Sequence, residues 1–332
     1  MGIVNYLKKS EKIQHVIILV MSYIIAMDIG GTQLRVASFV DGSNSPVTAN
    51  RTPTRSGNEI ILDRVISAIE SVWSPKQVKA LSVAWPGPLD PALGIVHSTP
   101  NIPGCDNFPL KSELEKRFKI PVFLENDANL AALGEWKYGI GQGFDDLIYF
   151  TISTGIGGGV ISGGHLLSGS HGLAAELGHI TVAPNGPVCP CGQRGHLEAV
   201  ASGTAIARYV REGISSGRKS ILSIEEYISA RAVSQAARQG DELCLEAFNV
   251  AGTYLGQAMA NFLHIFNPSM LIFGGGVSQS HDLLFPSMKK TMAELLMNSA
   301  YQENLRLELA MLGDDAGLLG ALALARQKLP LT

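Results

Sequence analysis

Residues 23–35 run Tyr23-Ile24-Ile25-Ala26-Met27-Asp28-Ile29-Gly30-Gly31-Thr32-Gln33-Leu34-Arg35. An apolar strand over Tyr23–Ile29 enters a glycine turn and leaves as a second strand, Leu34–Val40. Glycines in such a turn let backbone N–H groups approach a phosphate with no Cβ in the way. Thr32 adds a hydroxyl that can donate to a phosphate oxygen. Asp28, at the strand end, is a carboxylate that can hold Mg2+ directly or through water. No Gly-Lys-Ser/Thr follows, so this is not a Walker A loop. The alternative is an ordinary hairpin.

The same shape recurs roughly 125 residues downstream, too long a period for a solenoid. Tyr149-Phe150-Thr151-Ile152 leads through Ser153-Thr154-Gly155-Ile156 into a glycine loop over Gly155–Gly159, with a returning strand over Val160–Ser162. A nucleotide held between two hairpins needs two such loops. Thr154, Gly155 and Gly157 therefore join Gly30, Gly31 and Thr32 as candidate phosphate contacts. The repeat suggests two halves of similar fold facing each other.

The rest of the chain alternates strands and helices, as an α/β protein does. In the first half we expect a strand near 47–52, a helix over 59–73, a strand over 80–85 and a helix over 110–118. A strand over 121–124 and a helix over 126–138 follow. The second half has a strand over 146–153 and a loop-rich stretch over 172–195. Helices are expected over 197–212, 224–234 and 241–266, with a strand over 270–273, a helix over 283–297, a strand over 305–310 and a final helix over 316–327. In the long helix Phe248, Leu255, Met259, Phe262 and Phe266 form one apolar stripe, suited to a core or an interface.

Length and composition bound the reading. At roughly 150 residues per domain, 332 residues make two domains or one large one. An apolar content of 46% excludes disorder, and 36 glycines without a period exclude collagen. The net charge of −3, with no basic block, offers nothing to a nucleic acid. Four cysteines are too few for a disulfide scaffold. The apolar run from Val16 to Met27 is too short to span a bilayer. Lys8, Lys9 and Lys12 imitate a signal peptide, but no small-residue cleavage site follows. Residues 1–21 read as an N-terminal extension, with Met21 an alternative start. The expected location is cytoplasmic, with no membrane or nucleic-acid partner.

Three further segments carry chemistry. Glu125-Asn126-Asp127-Ala128-Asn129 lies between a strand and a helix N-terminus, where ligands of open α/β sheets bind. Its alternative is a plain N-cap. Gly172-Leu173-Ala174-Ala175-Glu176-Leu177-Gly178-His179 precedes Cys189-Pro190-Cys191-Gly192-Gln193-Arg194-Gly195-His196-Leu197-Glu198. His179, Cys189, Cys191 and His196 make a tetrahedral set for Zn2+, although C-x-C is tighter than the zinc-finger spacing. A loop with two free thiols is the alternative. Glu176 and Glu198 flank the set and can accept hydrogen bonds from sugar hydroxyls. Lastly, Gly275 and Gly276 follow a strand at Gly274, with Gly313-Asp314-Asp315-Ala316-Gly317 downstream. Such glycines admit a flat base or ribose against the backbone, or simply close helix–strand packing; both readings stand.

These segments resemble, in their order, the ROK family of sugar kinases and repressors within the actin-like ATPase superfamily. The likeness runs from about residue 22 to the C-terminus. It rests on the Asp28-x-Gly30-Gly31-Thr32 loop, Trp85-Pro86-Gly87-Pro88 and Thr99-Pro100-Asn101-Ile102-Pro103-Gly104. It rests also on Glu125–Asn129 and on the Glu-x-Gly-His then Cys-x-Cys-Gly segment. The resemblance implies two actin-like (ribonuclease H-like) α/β domains facing each other across a cleft that closes to exclude water. The smaller would be 22–125 with the C-terminal helix 316–332, and the larger 126–315 with the zinc loop. It implies ATP-dependent phosphorylation of a hexose 6-hydroxyl, with Mg2+ and a structural Zn2+. Glucose is the default acceptor. N-acetylmannosamine, N-acetylglucosamine, fructose and broad-specificity kinases share these motifs, and some members use polyphosphate. Asp127 matches the catalytic base, and Asn101, Asn126, Glu176, His179 and Glu198 match the sugar contacts. A homodimer or higher homo-oligomer is the family habit. A non-catalytic regulator is the weaker reading, since the family's repressors carry an N-terminal helix-turn-helix domain and only a short segment precedes the first strand. Two departures are His196, where many members have a third Cys, and Ala175, where Gly is usual.

Overall fold

The structure is a computed structural model describing residues 22–55, 60–73, 77–99, 102 and 105–330. The N-terminal extension and Asn101 lie outside the described residues. In chain order the strands are β1 (Tyr23–Ile29), β2 (Gln33–Val40), β3 (Pro46–Pro53), β4 (Val78–Trp85), β5 (Leu89–Asp90) and β6 (Ile95–Val96). They continue with β7 (Val122–Asn126), β8 (Leu147–Ile152), β9 (Ile156–Ser162), β10 (His165–Leu166), β11 (Met270–Gly274) and β12 (Arg306–Leu309). The helices are α1 (Ile61–Ser71), α2 (Leu110–Phe118), α3 (Asp127–Tyr138), α4 (Leu197–Ala201), α5 (Gly203–Ser215) and α6 (Ala230–Arg238). The remaining three are α7 (Glu242–Phe266), α8 (His281–Leu295) and α9 (Ala316–Lys328). None of them is long and apolar enough to cross a membrane.

The described chain forms two compact units, one of residues 22–134, 169–173 and 315–330, the other of 135–168 and 174–314. The first is built on a sheet of order β3-β2-β1-β4-β7. β1 pairs antiparallel with β2 and parallel with β4, and β4 pairs parallel with β7. A central strand covered on both faces should read as a continuous apolar run. β1 does: Ile24, Ile25, Ala26, Met27 and Ile29 are wholly buried. α1 buries Ile61, Val65, Ala68 and Ile69, one face of a 3.6-residue period. Residues 126–134, expected in the larger domain, pack with the first unit, because β7 carries them directly off this sheet.

The second unit has a sheet of order β10-β9-β8-β11-β12. β8 pairs antiparallel with β9 and parallel with β11, which pairs parallel with β12. Order and direction repeat those of the first sheet, so the internal repeat in the sequence is a repeat of topology. On α7, Phe248, Leu255, Met259 and Phe262 are buried in this unit's own core, and the Phe262 ring centroid stands 5.6 Å from that of Phe150. That stripe is a core face.

Three expectations change. Gly157, Gly158 and Gly159 are not loop but part of β9, paired with Thr151, Phe150 and Tyr149 of β8. A ladder is made by backbone groups, so small side chains did not end the strand. The helix expected over 197–212 breaks at Ser202, whose extended backbone and side chain cap α5, the hydroxyl accepting from Ala205 N at 3.2 Å. The helix expected over 224–234 starts only at Ala230, capped by Ser229. Both breaks come from serines that satisfy a helix N-terminus better than a helix interior.

Candidate functional site

At the end of β7, Asn126 does the capping. Its carboxamide oxygen accepts from Ala128 N at 2.9 Å and Asn129 N at 3.1 Å. Asp127 then occupies the first helical position, its Oδ1 accepting from Ala128 N at 2.8 Å, where the helix dipole favours an anion. Underneath, the buried Glu125 takes the Asn126 N–H at 2.9 Å and the Asn129 side-chain amide at 3.1 Å. The turn carrying Asp127 is thus fixed from below.

The first glycine turn is closed internally. Gly30 N donates to Gln33 O at 2.8 Å, and the Thr54 hydroxyl donates to Gly30 O at 2.6 Å. Gly31 and Thr32 are exposed, so the tip of the turn faces outward. Asp28, buried at the end of β1, receives the Arg35 guanidinium at 3.2 Å. A carboxylate at a strand end beside a phosphate turn is the right donor type for Mg2+.

The second turn contacts the break at Ser202. Gly203 N donates to Ser153 O at 2.8 Å, and the Thr204 hydroxyl to Thr154 O at 2.8 Å. Here opens a cavity of about 730 Å³, wholly within the second unit, with Thr154, Thr204 and Gly276 in its wall. Its size suits a small-molecule ligand. The two readings of Gly275 and Gly276 now separate. Gly275 has φ +84°, and a Cβ there would lie 2.4 Å from Ile152 O, so it serves close packing. Gly276 has nothing in the way and faces the cavity. Sequence reasoning missed Thr204, Arg211 and the 227–231 segment of this wall; the only trace was the Ser-Gly-Thr at 202–204, hidden inside an expected helix.

His179, Cys189, Cys191 and His196 converge, their ligand atoms all within 4.8 Å of one another. The Nδ1 atoms of the two histidines are 3.3 Å apart, Cys189 Sγ is 3.6 Å from His179 Nδ1, and Cys191 Sγ is 3.2 Å from His196 Nδ1. A tetrahedron with Zn–N of about 2.05 Å and Zn–S of about 2.3 Å has N···N edges near ~3.3 Å and N···S edges near ~3.6 Å. The donor set fits zinc. Burial pushes the Cys189 thiol up to about 12, so a bound cation is what would make it a thiolate.

Two carboxylates sit against this cluster. Glu176 Oε2 lies 3.9 Å from His179 Nε2. Burial raises the Glu176 carboxyl above its ordinary value; His179 offsets part of the rise, and Glu198 adds to it. Glu198 reaches two ways, its Oε1 taking the Cys189 thiol at 3.6 Å and its Oε2 the Ile156 N–H at 2.9 Å. A Cβ on Gly155 would meet Glu198 Oε2 at 2.2 Å. The glycine there therefore makes room for a carboxylate that ties the cysteine loop to the second turn. Asn101 is the one sequence-derived site residue outside the described residues.

A sequence profile of the ROK family matches residues 24–328. The glucokinase of Thermotoga maritima is 39% identical over 311 residues, 92% of this chain and 98% of its own length. A ROK family glucokinase of Streptomyces griseus, solved in complex with glucose and AMPPNP, superimposes with a TM-score of 0.78 at 35% identity. That match covers 92% of this chain and 100% of the other. A ROK family transcriptional regulator homologous to the MLC protein of E. coli superimposes with a TM-score of 0.81 at 30% identity, over 93% of this chain and 78% of its own.

Proposed function

The chain belongs to the ROK family, and on that premise we propose that it is an ATP-dependent kinase acting on the 6-hydroxyl of glucose. The observation that carries the reading is the division of labour at the start of α3. Asn126 caps the helix, so Asp127 is not needed for that purpose. A carboxylate held at a helix N-terminus on a rigid buried base is suited to general-base work.

Asp127 takes the proton of the sugar 6-hydroxyl as that oxygen attacks the γ-phosphorus. The bond from the γ-phosphorus to the bridging oxygen breaks, leaving ADP and the sugar 6-phosphate. Positioning and charge stabilisation supply most of the rate in phosphoryl transfer. Backbone N–H groups of the turns at Gly31–Thr32 and Thr154–Gly155 are assigned as the donors, and the cavity beside Thr154 is assigned to the nucleoside. Asp28 is the carboxylate we assign to Mg2+, which neutralises phosphate charge when bound. Zinc held by His179, Cys189, Cys191 and His196 would supply structure alone, since four protein ligands leave no open position. Through His179 it would hold the loop bearing Glu176. Asn126, Glu176, His179 and Glu198, with Asn101, are assigned to the sugar hydroxyls.

A panel of hexoses with ATP, followed by ADP release and product identification, tests the proposal. Glucose should give the highest kcat/KM and glucose 6-phosphate the product. Faster turnover of N-acetylmannosamine, N-acetylglucosamine or fructose would replace the acceptor, and no turnover of any hexose would overturn the kinase reading.

A further inference from the structure

Tyr227 is 88% exposed, on the wall of the 730 Å³ cavity that also holds Thr154, Thr204 and Gly276. Among the described residues its ring has no aromatic, cationic or hydrogen-bonding partner. Yet it is not on a loose end. Ile228, next in sequence, is 3% exposed within the second unit's core, and Ser229 caps α6 by accepting from Ala232 N at 3.2 Å. A large aromatic face is thus held in place, uncovered, at a ligand-sized cavity.

The cations of the same wall divide into two kinds. Arg238 is bound to Asp282 by two hydrogen bonds, 3.0 and 2.7 Å, and is a structural pair. Arg211 and Arg231 also line the cavity, and neither guanidinium has an ion pair or hydrogen bond among the described residues. Guanidinium groups left without an ion pair beside a cavity have planar faces open to stack on a ring.

We propose that Tyr227, with Arg211 and Arg231, clamps the base of the phosphoryl donor, and that this clamp makes a purine nucleoside triphosphate the donor in preference to inorganic polyphosphate. The proposal rests on the kinase reading above and deepens its donor site. The phosphate end of the nucleotide lies at the Thr154 turn and the base end at Tyr227, within one unit of the fold. Stacking on an aromatic ring tolerates different bases, so ATP and GTP both serve, and a pyrimidine offers less face to cover.

The test compares wild type with Tyr227→Ala, Tyr227→Phe and Arg231→Ala. AMPPNP affinity is measured by calorimetry, and KM is measured separately for ATP, GTP, CTP, polyphosphate and glucose. Tyr227→Ala should weaken AMPPNP binding and raise KM for ATP about ten-fold, the scale of one lost stacking contact, while KM for glucose stays. Tyr227→Phe keeps the ring and should bind AMPPNP as wild type does. Because Tyr227 packs on nothing, the Tm of Tyr227→Ala should match wild type, which separates a binding loss from a folding loss. AMPPNP affinity within two-fold of wild type in Tyr227→Ala, or polyphosphate serving as well as ATP, would overturn the clamp. If no hexose is phosphorylated but AMPPNP binds and Tyr227→Ala weakens it ten-fold, the base clamp stands and the kinase reading falls.

Discussion

The Nδ1 atoms of His179 and His196 stand 3.3 Å apart, the spacing of two imidazole ligands on one tetrahedral ion. Both rings turn the same nitrogen toward the two cysteine sulfurs, and His179 turns its other nitrogen toward Glu176. His196 departs from the family, many of whose members have a third cysteine there, and its imidazole stands with His179 and the two sulfurs, all four ligand atoms within 4.8 Å of one another.

The expected outcome is one zinc per chain, retained through purification, since structural zinc contributes about 10 kcal/mol or more of apparent binding energy. Elemental analysis should find it, and Cys189→Ser and His196→Ala should each lower the content. KM for glucose should rise more than KM for ATP in Cys189→Ser, because a metal held by His179 would fix the Glu176 loop. Full activity with well under one zinc per chain would remove the assignment of His196.

Asp127→Asn should lower kcat by about 10²–10⁴-fold while glucose and AMPPNP still bind. Asparagine keeps the acceptor that takes the Ala128 N–H, so folding should be unaffected. A variant retaining more than a tenth of wild-type kcat would show that Asp127 is not the base.

Ala175 sits at φ +64°, a left-handed conformation that costs an L-residue about 1 kcal/mol or more. This explains why glycine is usual there in the family. Ala175→Gly should raise stability by about 0.5–1 kcal/mol, the relief being partly offset by glycine's freedom in the unfolded chain. A urea midpoint equal to or below wild type would show that the strain is absent.

Asp241 caps α7, its Oδ1 accepting from Cys244 N at 3.0 Å and its Oδ2 from the Ser220 hydroxyl and Ile221 N, both at 2.7 Å. Burial opposes its charge, but these three donors prevail and hold the carboxyl below its ordinary value. A carboxyl depressed in the folded state stabilises the protein above its unfolded value, about 3.9, and loses that contribution as pH falls through the folded value. Asp241→Ala should cost about 1–2 kcal/mol at pH 7. The stability gap to wild type, followed by urea unfolding, should narrow below about pH 4. A gap that does not change with pH would mean the charge contributes nothing.

Much of the fold was legible because its signals are local. A strand buried on both faces reads as an unbroken apolar run, as at Tyr23–Ile29, and a glycine turn needs adjacent residues, as at Gly30–Thr32. The repeat of β1–β2 by β8–β9 followed from the same rule. The convergence of the four candidate metal donors was legible because they fall within 18 residues, His179 to His196.

What the sequence could not determine depended on partners far along the chain. Ser202 caps the helix that follows it, and the break is held by Gly203 and Thr204 bonding to Ser153 and Thr154, some 50 residues earlier. Gly157–Gly159 became strand because β8 supplied the ladder. Glu198 looked like a sugar contact alone until its carboxylate was found on Ile156 N, 42 residues away. The Tyr227 and Arg231 wall had no motif, since a ring and a cation gain meaning only from the cavity they face. Periodicity and turn chemistry report what neighbours in sequence must do, whereas the break at Ser202, the reach of Glu198 and the cavity wall were settled by hydrogen bonds and packing between distant segments.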